Sequence, residues 1–278
     1  MKIGFFITAR MKSSRLTHKV LLDLNGKSVI DRVIERCKSV KGIDGVVLCT
    51  SHNPQDSILY DSAVKNNIQF YIGSEVDVLD RLLNAALYYG YDAFVSITAD
   101  NPLFSIYTSQ ILVDWNKRED FDFIFSKGLP IGCCTSLINV KALQVAVGMK
   151  NAADTEIWGP FVNRPDFFNV GQLVVTNSPF KEEKRLTCDY PEDYQLFRRL
   201  YSFYDSSVIP SLHETLQTLV EHPHLWDLNK MHVQKAPTDI ELSQIAKTFN
   251  EQIGNGLDIA KQLGKTMIPS YNELSIEI

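Results

Sequence analysis

The chain has 278 residues, room for one α/β domain with an appendage or for two domains. Its 45% hydrophobic and 22% charged residues match a protein that builds a large core. A net charge of −5 excludes a general nucleic-acid binder, which needs a basic excess over one face, so any anion site must be local. No apolar run is long enough for a signal sequence or a membrane span, and a cytoplasmic protein with no membrane association is expected. The five cysteines (Cys37, Cys49, Cys133, Cys134, Cys188) lack a CxxC spacing and read as reduced thiols.

Short apolar runs alternate with longer amphipathic ones through the first half. Residues 3–8 read as a buried strand. Residues 27–38 then place Val29, Ile30, Val33, Ile34 and Cys37 on one helical face and Arg32, Glu35, Arg36 and Lys38 on the other. A strand over 45–50, a helix over 55–65, a short strand over 69–72, a helix over 78–88 and a strand over 93–98 follow. This alternation predicts a mostly parallel central sheet flanked by helices, with ligands beyond the carboxyl ends of the strands. The second half is less regular. Strands are expected near 121–126, 170–175 and 185–188. Helices are expected over 139–149, from Pro191, over 211–221, and over 239–263 with an interruption around 254–256. The tail 268–278 reads as ordered or frayed.

The loop after the first strand holds Arg10, Lys12, Arg15 and Lys19 with no acidic residue. Arg forks and a Lys point charge compensate phosphate oxygens, while Ser13 and Ser14 add short donors near an approachable backbone. The run is not a Walker A loop, and a basic stretch alone reads more simply as a solvated surface. Asp100 leaves a buried strand, where a carboxylate can hold Mg²⁺ against phosphates; Asp100-Asn101-Pro102 is also good turn chemistry. Asp189 reads as a helix cap or as a partner of Asp100 for metal, and Asp193 as a first-turn residue favoured by the helix dipole. Ser74 or Asp77 is a candidate cap for the next helix, with Arg81 either facing a nucleotide or pairing with Asp77.

Together these segments resemble the cytidylyltransferase family, which includes the enzymes that activate 3-deoxy-manno-octulosonate and acylneuraminate, and especially its spore-coat-polysaccharide-type branch. The resemblance rests on Ala9-Arg10-Met11-Lys12-Ser13-Ser14-Arg15-Leu16-Thr17-His18-Lys19-Val20-Leu21 with Gly26-Lys27-Ser28, and on Gly73 to Arg81. It rests equally on Thr98-Ala99-Asp100-Asn101-Pro102-Leu103 and on Arg185 to Asp193. It spans about residues 1–230 in order. It implies a GT-A-like nucleotidyltransferase fold for residues 1–230 and leaves 231–278 as a helical C-terminal extension. It also implies a homodimer that transfers CMP from CTP to a small-molecule acceptor, a sugar acid or a phosphorylated compound, for surface polysaccharide biosynthesis.

Carried over residue by residue, Arg10 and Lys19 are catalytic, and Asp100 and Asp189 hold Mg²⁺. Ala9, Ser13, Ser14, Arg15, Ser74, Asp77, Arg81 and Thr98 bind the nucleotide. Thr17-His18 departs from the family's Pro-Gly, and Ser28 from its proline. The acceptor region also departs, and there Glu156 and Trp158 read as pocket lining or, for Trp158, as core. A glycosyltransferase with a nucleotide-sugar donor and a non-catalytic nucleotide-binding protein are the competing readings. The first lacks an Asp-x-Asp motif at Asp100.

Overall fold

In β1 (Ile3–Thr8) alternate side chains serve opposite faces, as a strand's two-residue period requires. Ile3, Phe5 and Ile7 enter one buried layer, while Phe6 enters the other and stacks on Phe94 with ring centroids 4.3 Å apart. The computed structural model describes residues 1–150, 158–181, 183–234 and 236–278. Among these, β1 is joined by β2 (Gly45–Ser51), β3 (Gln69–Gly73), β4 (Ala93–Thr98), β5 (Phe123–Lys127), β6 (Ser136–Asn139), β7 (Asn169–Val175) and β8 (Ser270–Ile276). They form one sheet in the order β3-β2-β1-β4-β6-β5-β7-β8. Only β6 runs antiparallel to its neighbours, so the mostly parallel sheet is as expected. The chain reverses its direction of travel between β1 and β4, the switch point where such sheets bind ligands.

The helices are α1 (Val29–Ser39), α2 (Leu59–Lys65), α3 (Val78–Tyr89), α4 (Ile106–Arg118), α5 (Val140–Met149), α6 (Gly159–Val162), α7 (Pro191–Tyr201), α8 (Leu212–Glu221), α9 (Asp239–Glu251) and α10 (Ile253–Gln262). One face of the sheet is covered by α1, α2 and α4, the other by α3, α5, α6, α9 and α10. A third cluster joins α7 and α8 to Leu24, Leu129 and Leu186 near the strand ends. Polar caps start most helices: Ser28, Asp77, Ser105, Asn139, Ser211 and Thr238 each accept a hydrogen bond from a first-turn amide. Ser28 therefore takes up, as a cap, the place where the family pattern has proline.

Several expectations are corrected. On the polar face of α1, Lys38 is exposed but the two arginines are covered. Arg32 and Arg36 are buried, Arg32 donating to the carbonyls of Leu24, Asn25 and Ser206, Arg36 to those of Phe104 and Pro210. A guanidinium tolerates burial where carbonyls satisfy its donors. Residues 185–188 form no strand; Arg185 makes one isolated bridge to Ile131, and Cys188 donates to the Asp100 carbonyl. The break between α9 and α10 falls at Gln252. Gly256 lies within α10, where a Cβ would come 2.3 Å from the Met149 sulfur of α5, so the position takes glycine for close packing and not as a break. The tail is ordered: β8 extends the sheet beside β7 over seven paired residues. Neither α4 nor β6 is among the elements expected from the sequence.

Candidate active site

The basic loop is anchored at its root. The Ala9 amide donates to Cys49, and the Ala9 carbonyl accepts from Thr50 Oγ1 at 2.9 Å. The buried carboxylate of Asp56 accepts from the Met11 amide at 2.6 Å and from Ser51 Oγ at 2.5 Å. The loop ends in a single helical turn, Lys19–Leu21, entered through His18 at φ 53°. That left-handed conformation suits the glycine of the family pattern better than histidine, and the exposed His18 does not line the cleft.

Beyond the carboxyl ends of β1 and β4 lies a cleft of about 310 Å³. Of the expected residues, Ala9, Arg10, Ser13, Ser14, Arg15, Lys19, Arg81, Thr98, Asp100 and Asp189 line it, with Trp158 on its wall. Ser74 and Asp77 do not. They build the start of α3: Asp77 caps it, accepting from Asp80 at 3.0 Å, and pairs with Lys150, while the Ser74 hydroxyl accepts from the Asp77 amide. Arg81 points back along its helix, donating to the Ser74 carbonyl at 2.6 Å rather than pairing with Asp77. A Cβ on Gly73 would sit 2.9 Å from the Arg81 stem, so glycine there makes room for it. Burial lowers the Arg81 pKa, and the charge of nearby Arg10 adds to that. Lys12 meets Glu75 at 3.5 Å on the surface. Trp158 is half-buried and also packs edge-on against Phe123, so both readings of it hold in part. Glu156 lies outside the described residues.

At the cleft floor, Lys19 Nζ lies 2.5 Å from Asp100 and 2.9 Å from Asp189. Two segments 89 residues apart in sequence thus converge on one ammonium. Burial alone would lower the pKa of Lys19, but the two carboxylates outweigh it and raise it. Asp189 is the mirror case. Burial would raise it, yet Lys19, Arg15 and Arg185 hold it below the ordinary carboxylate range. The other Asp100 oxygen accepts from the Thr98 hydroxyl, and Asn101 donates to Thr98 at 2.7 Å. Arg15 donates to Asp189 at 3.0 Å and lies over the Tyr190 ring. Asp189 is not the cap of α7. That place falls to Tyr190, whose amide donates to the buried Asp193 carboxylate at 3.0 Å. Arg185, not among the expected site residues, meets both Asp189 and Asp193; the four-residue spacing Arg185, Asp189, Asp193 is its signal in the sequence.

No group of three or more His, Cys, Asp or Glu fit to hold a metal occurs among the described residues. Two hard carboxylates on one cation position, open to a cleft with Arg10 and Arg15, still fit a divalent ion that takes its other ligands from phosphate and water. Among the described residues no disulfide joins the cysteines, and no helix is long and apolar enough to cross a membrane.

The model of the family described as cytidylyltransferase matches residues 5–275. The chain belongs to the cytidylyltransferase family. Cytidylyltransferases are nucleotidyltransferases, and this membership sets aside the glycosyltransferase and non-catalytic readings. The cytidylyltransferase match runs through α9, α10 and most of β8, further than the motifs alone reach. An uncharacterised protein of Methanocaldococcus jannaschii is 30% identical over 87% of this chain and all of its own length. The spore coat polysaccharide biosynthesis protein SpsF of Bacillus subtilis is 26% identical, over 72% of this chain and 86% of its own. A cytidylyltransferase structure from Leptospira borgpetersenii shares the fold at a TM-score of 0.75, with 24% identity, over 85% of this chain and 100% of that one.

Proposed function

We propose that the cleft binds CTP with Mg²⁺ and transfers CMP to a sugar acid or a phosphorylated small molecule, releasing pyrophosphate, for surface polysaccharide biosynthesis. The observation that carries this reading is the convergence of Asp100 and Asp189 on Lys19 beneath Arg10 and Arg15. An acceptor oxygen attacks the α-phosphorus in line, and Arg10 and Lys19 stabilise the charge developing on the phosphates. Arg15, Ser13, Ser14, Arg81, Thr98 and the backbone at Ala9 position the nucleotide. Ser74 and Asp77 serve indirectly, by holding α3 and Arg81. Asp100 and Asp189 would hold Mg²⁺, which when bound neutralises phosphate charge and orients the triphosphate. The match to SpsF supports a role in surface glycan assembly.

The reading includes a cytoplasmic homodimer, with residues 1–230 as catalytic domain and 231–278 as its extension. Exposed Tyr60, Val64 and Ile72 on α2 and the edge strand β3 support self-association, and sedimentation equilibrium tests it. Incubation with each nucleoside triphosphate, Mg²⁺ and a panel of acceptors, with pyrophosphate as the readout, tests the activity. Asp100→Ala is expected to lower the rate by about a hundredfold or more. Full activity in that variant would remove Asp100 from the site, and no pyrophosphate from CTP with any acceptor would overturn the reading.

A further inference from the structure

The two oxygens of Asp189 have different partners. Oδ1 faces the cleft, 2.9 Å from Lys19 and 3.0 Å from Arg15, while Oδ2 is 3.2 Å from Arg185 behind it. Asp193 accepts from the amides of both Asp189 and Tyr190 at 3.0 Å, so it fixes the peptide that carries the Asp189 carboxylate. Arg185 also meets Asp193 at 3.3 Å, and its buried Nε makes no hydrogen bond. The orientation of Asp189 therefore depends on what holds Arg185 and Asp193.

A stretch following α8 does this. Asn229, 3% exposed, donates to Asp193 Oδ1 at 2.8 Å and to the Arg185 carbonyl at 3.1 Å. The side-chain oxygen of Gln234 accepts from Arg185 Nη1. His232 stacks flat on Tyr190, centroids 3.8 Å apart, on a ring that Arg15 also covers. A segment docked for packing would bury its apolar members. Here Met231 and Val233 are 60% and 84% exposed, and the polar Asn229 is the buried one.

We propose that residues 229–234 are a positioning strap that sets the orientation of Asp189. Through it, a segment outside the motif-bearing part of the chain tunes how the cleft holds the metal–nucleotide complex. The proposal rests on the reading of Asp189 as a metal-holding carboxylate. Groups that orient a ligand from behind typically change metal affinity or activity by about 10–100-fold when lost.

The test uses full-length Asn229→Ala, Gln234→Ala and Gln234→Glu, the last keeping an acceptor for Arg185. Two quantities are measured: Mn²⁺ binding with CTP present, by electron paramagnetic resonance, and hydrogen exchange at the Asp189 and Tyr190 amides without ligand. Both Ala variants are expected to weaken Mn²⁺ binding about 10–100-fold. They are also expected to speed exchange at those two amides about tenfold, with other amides unchanged. Gln234→Glu is expected to retain wild-type values. Mn²⁺ affinity and amide protection both within about twofold of wild type in the Ala variants would overturn the strap. If Asn229→Ala fails to fold, Gln234→Ala and His232→Ala carry the same comparison. A wild-type protein that binds no Mn²⁺ and releases no pyrophosphate would count against the functional reading alone, and the exchange result still decides the strap.

Discussion

Lys19 is a single cation shared by two carboxylates, so its loss leaves two negative groups facing each other. Lys19→Met is expected to lower pyrophosphate release by about a hundredfold. It is also expected to reduce stability by about 3 kcal/mol, read as a lower urea midpoint. The pKa directions set the pH dependence. Asp189 is depressed in the folded protein, so its contribution is present above the unfolded carboxylate value of about 3.9 and is lost as pH falls through the folded one. Lys19 is raised, so its contribution is present below about 10.4 and is lost as pH rises through the folded value. The stability gap between wild type and Asp189→Asn should thus be wide at neutral pH and close in acid below about pH 4, measured by urea unfolding at each pH. A gap independent of pH would deny Asp189 its charge pairing. Lys19 and Asp100 stand out in the sequence because the basic loop carrying Lys19 follows β1 and Asp100 follows β4, at the same end of the sheet. Arg32 and Arg36 do not, because their carbonyl acceptors include Ser206 and Pro210, far along the chain.

At the scale of elements, hydrophobic period marked β1 to β4, α1, α3 and α5, the Asp77 cap fitted α3, and Pro191 marked the start of α7. The misses have physical causes. In α4 the buried side includes Thr108, Ser109 and Asn116, so its apolar stripe is diluted; Ser109 bonds Thr135 and an Ser105 carbonyl within the interior. Four-residue β6 is shorter than a pattern can register, and it is antiparallel where the surrounding alternation predicts parallel strands. The turn carrying Lys19 gives a direct test of local conformation. His18→Gly removes a side chain from the left-handed region and is expected to stabilise the protein by up to about 1 kcal/mol. For a chain of this size that is a rise in melting temperature of about 2–4 °C by calorimetry. A lower melting temperature would show that histidine makes contacts there worth more than the strain.

For the whole molecule, the final strand was the least legible part, because β8 is an edge strand whose Asn272 and Glu273 are exposed. Its partly buried Leu274 and Ile276 nevertheless pack against the cores, and its seven pairings cover β7. Removal of residues 270–278 is expected to lower the melting temperature by roughly 5–10 °C and to promote self-association through the bared edge of β7, seen by size-exclusion chromatography. Pyrophosphate release at low temperature should persist, since β6, β5 and β7 separate β8 from β4. The reversed strand has a wider consequence. Because β6 is flanked by β4 and β5, both antiparallel to it, β5 and β7 release their loops at the same rim as β1 and β4. Among the described residues, everything lining the cleft apart from Trp158 and Asp189 comes from residues 8–100. One rim thus carries two sets of loops: an early set that builds most of the cleft, and a later set that brings Asp189 to its floor and Trp158 to its wall.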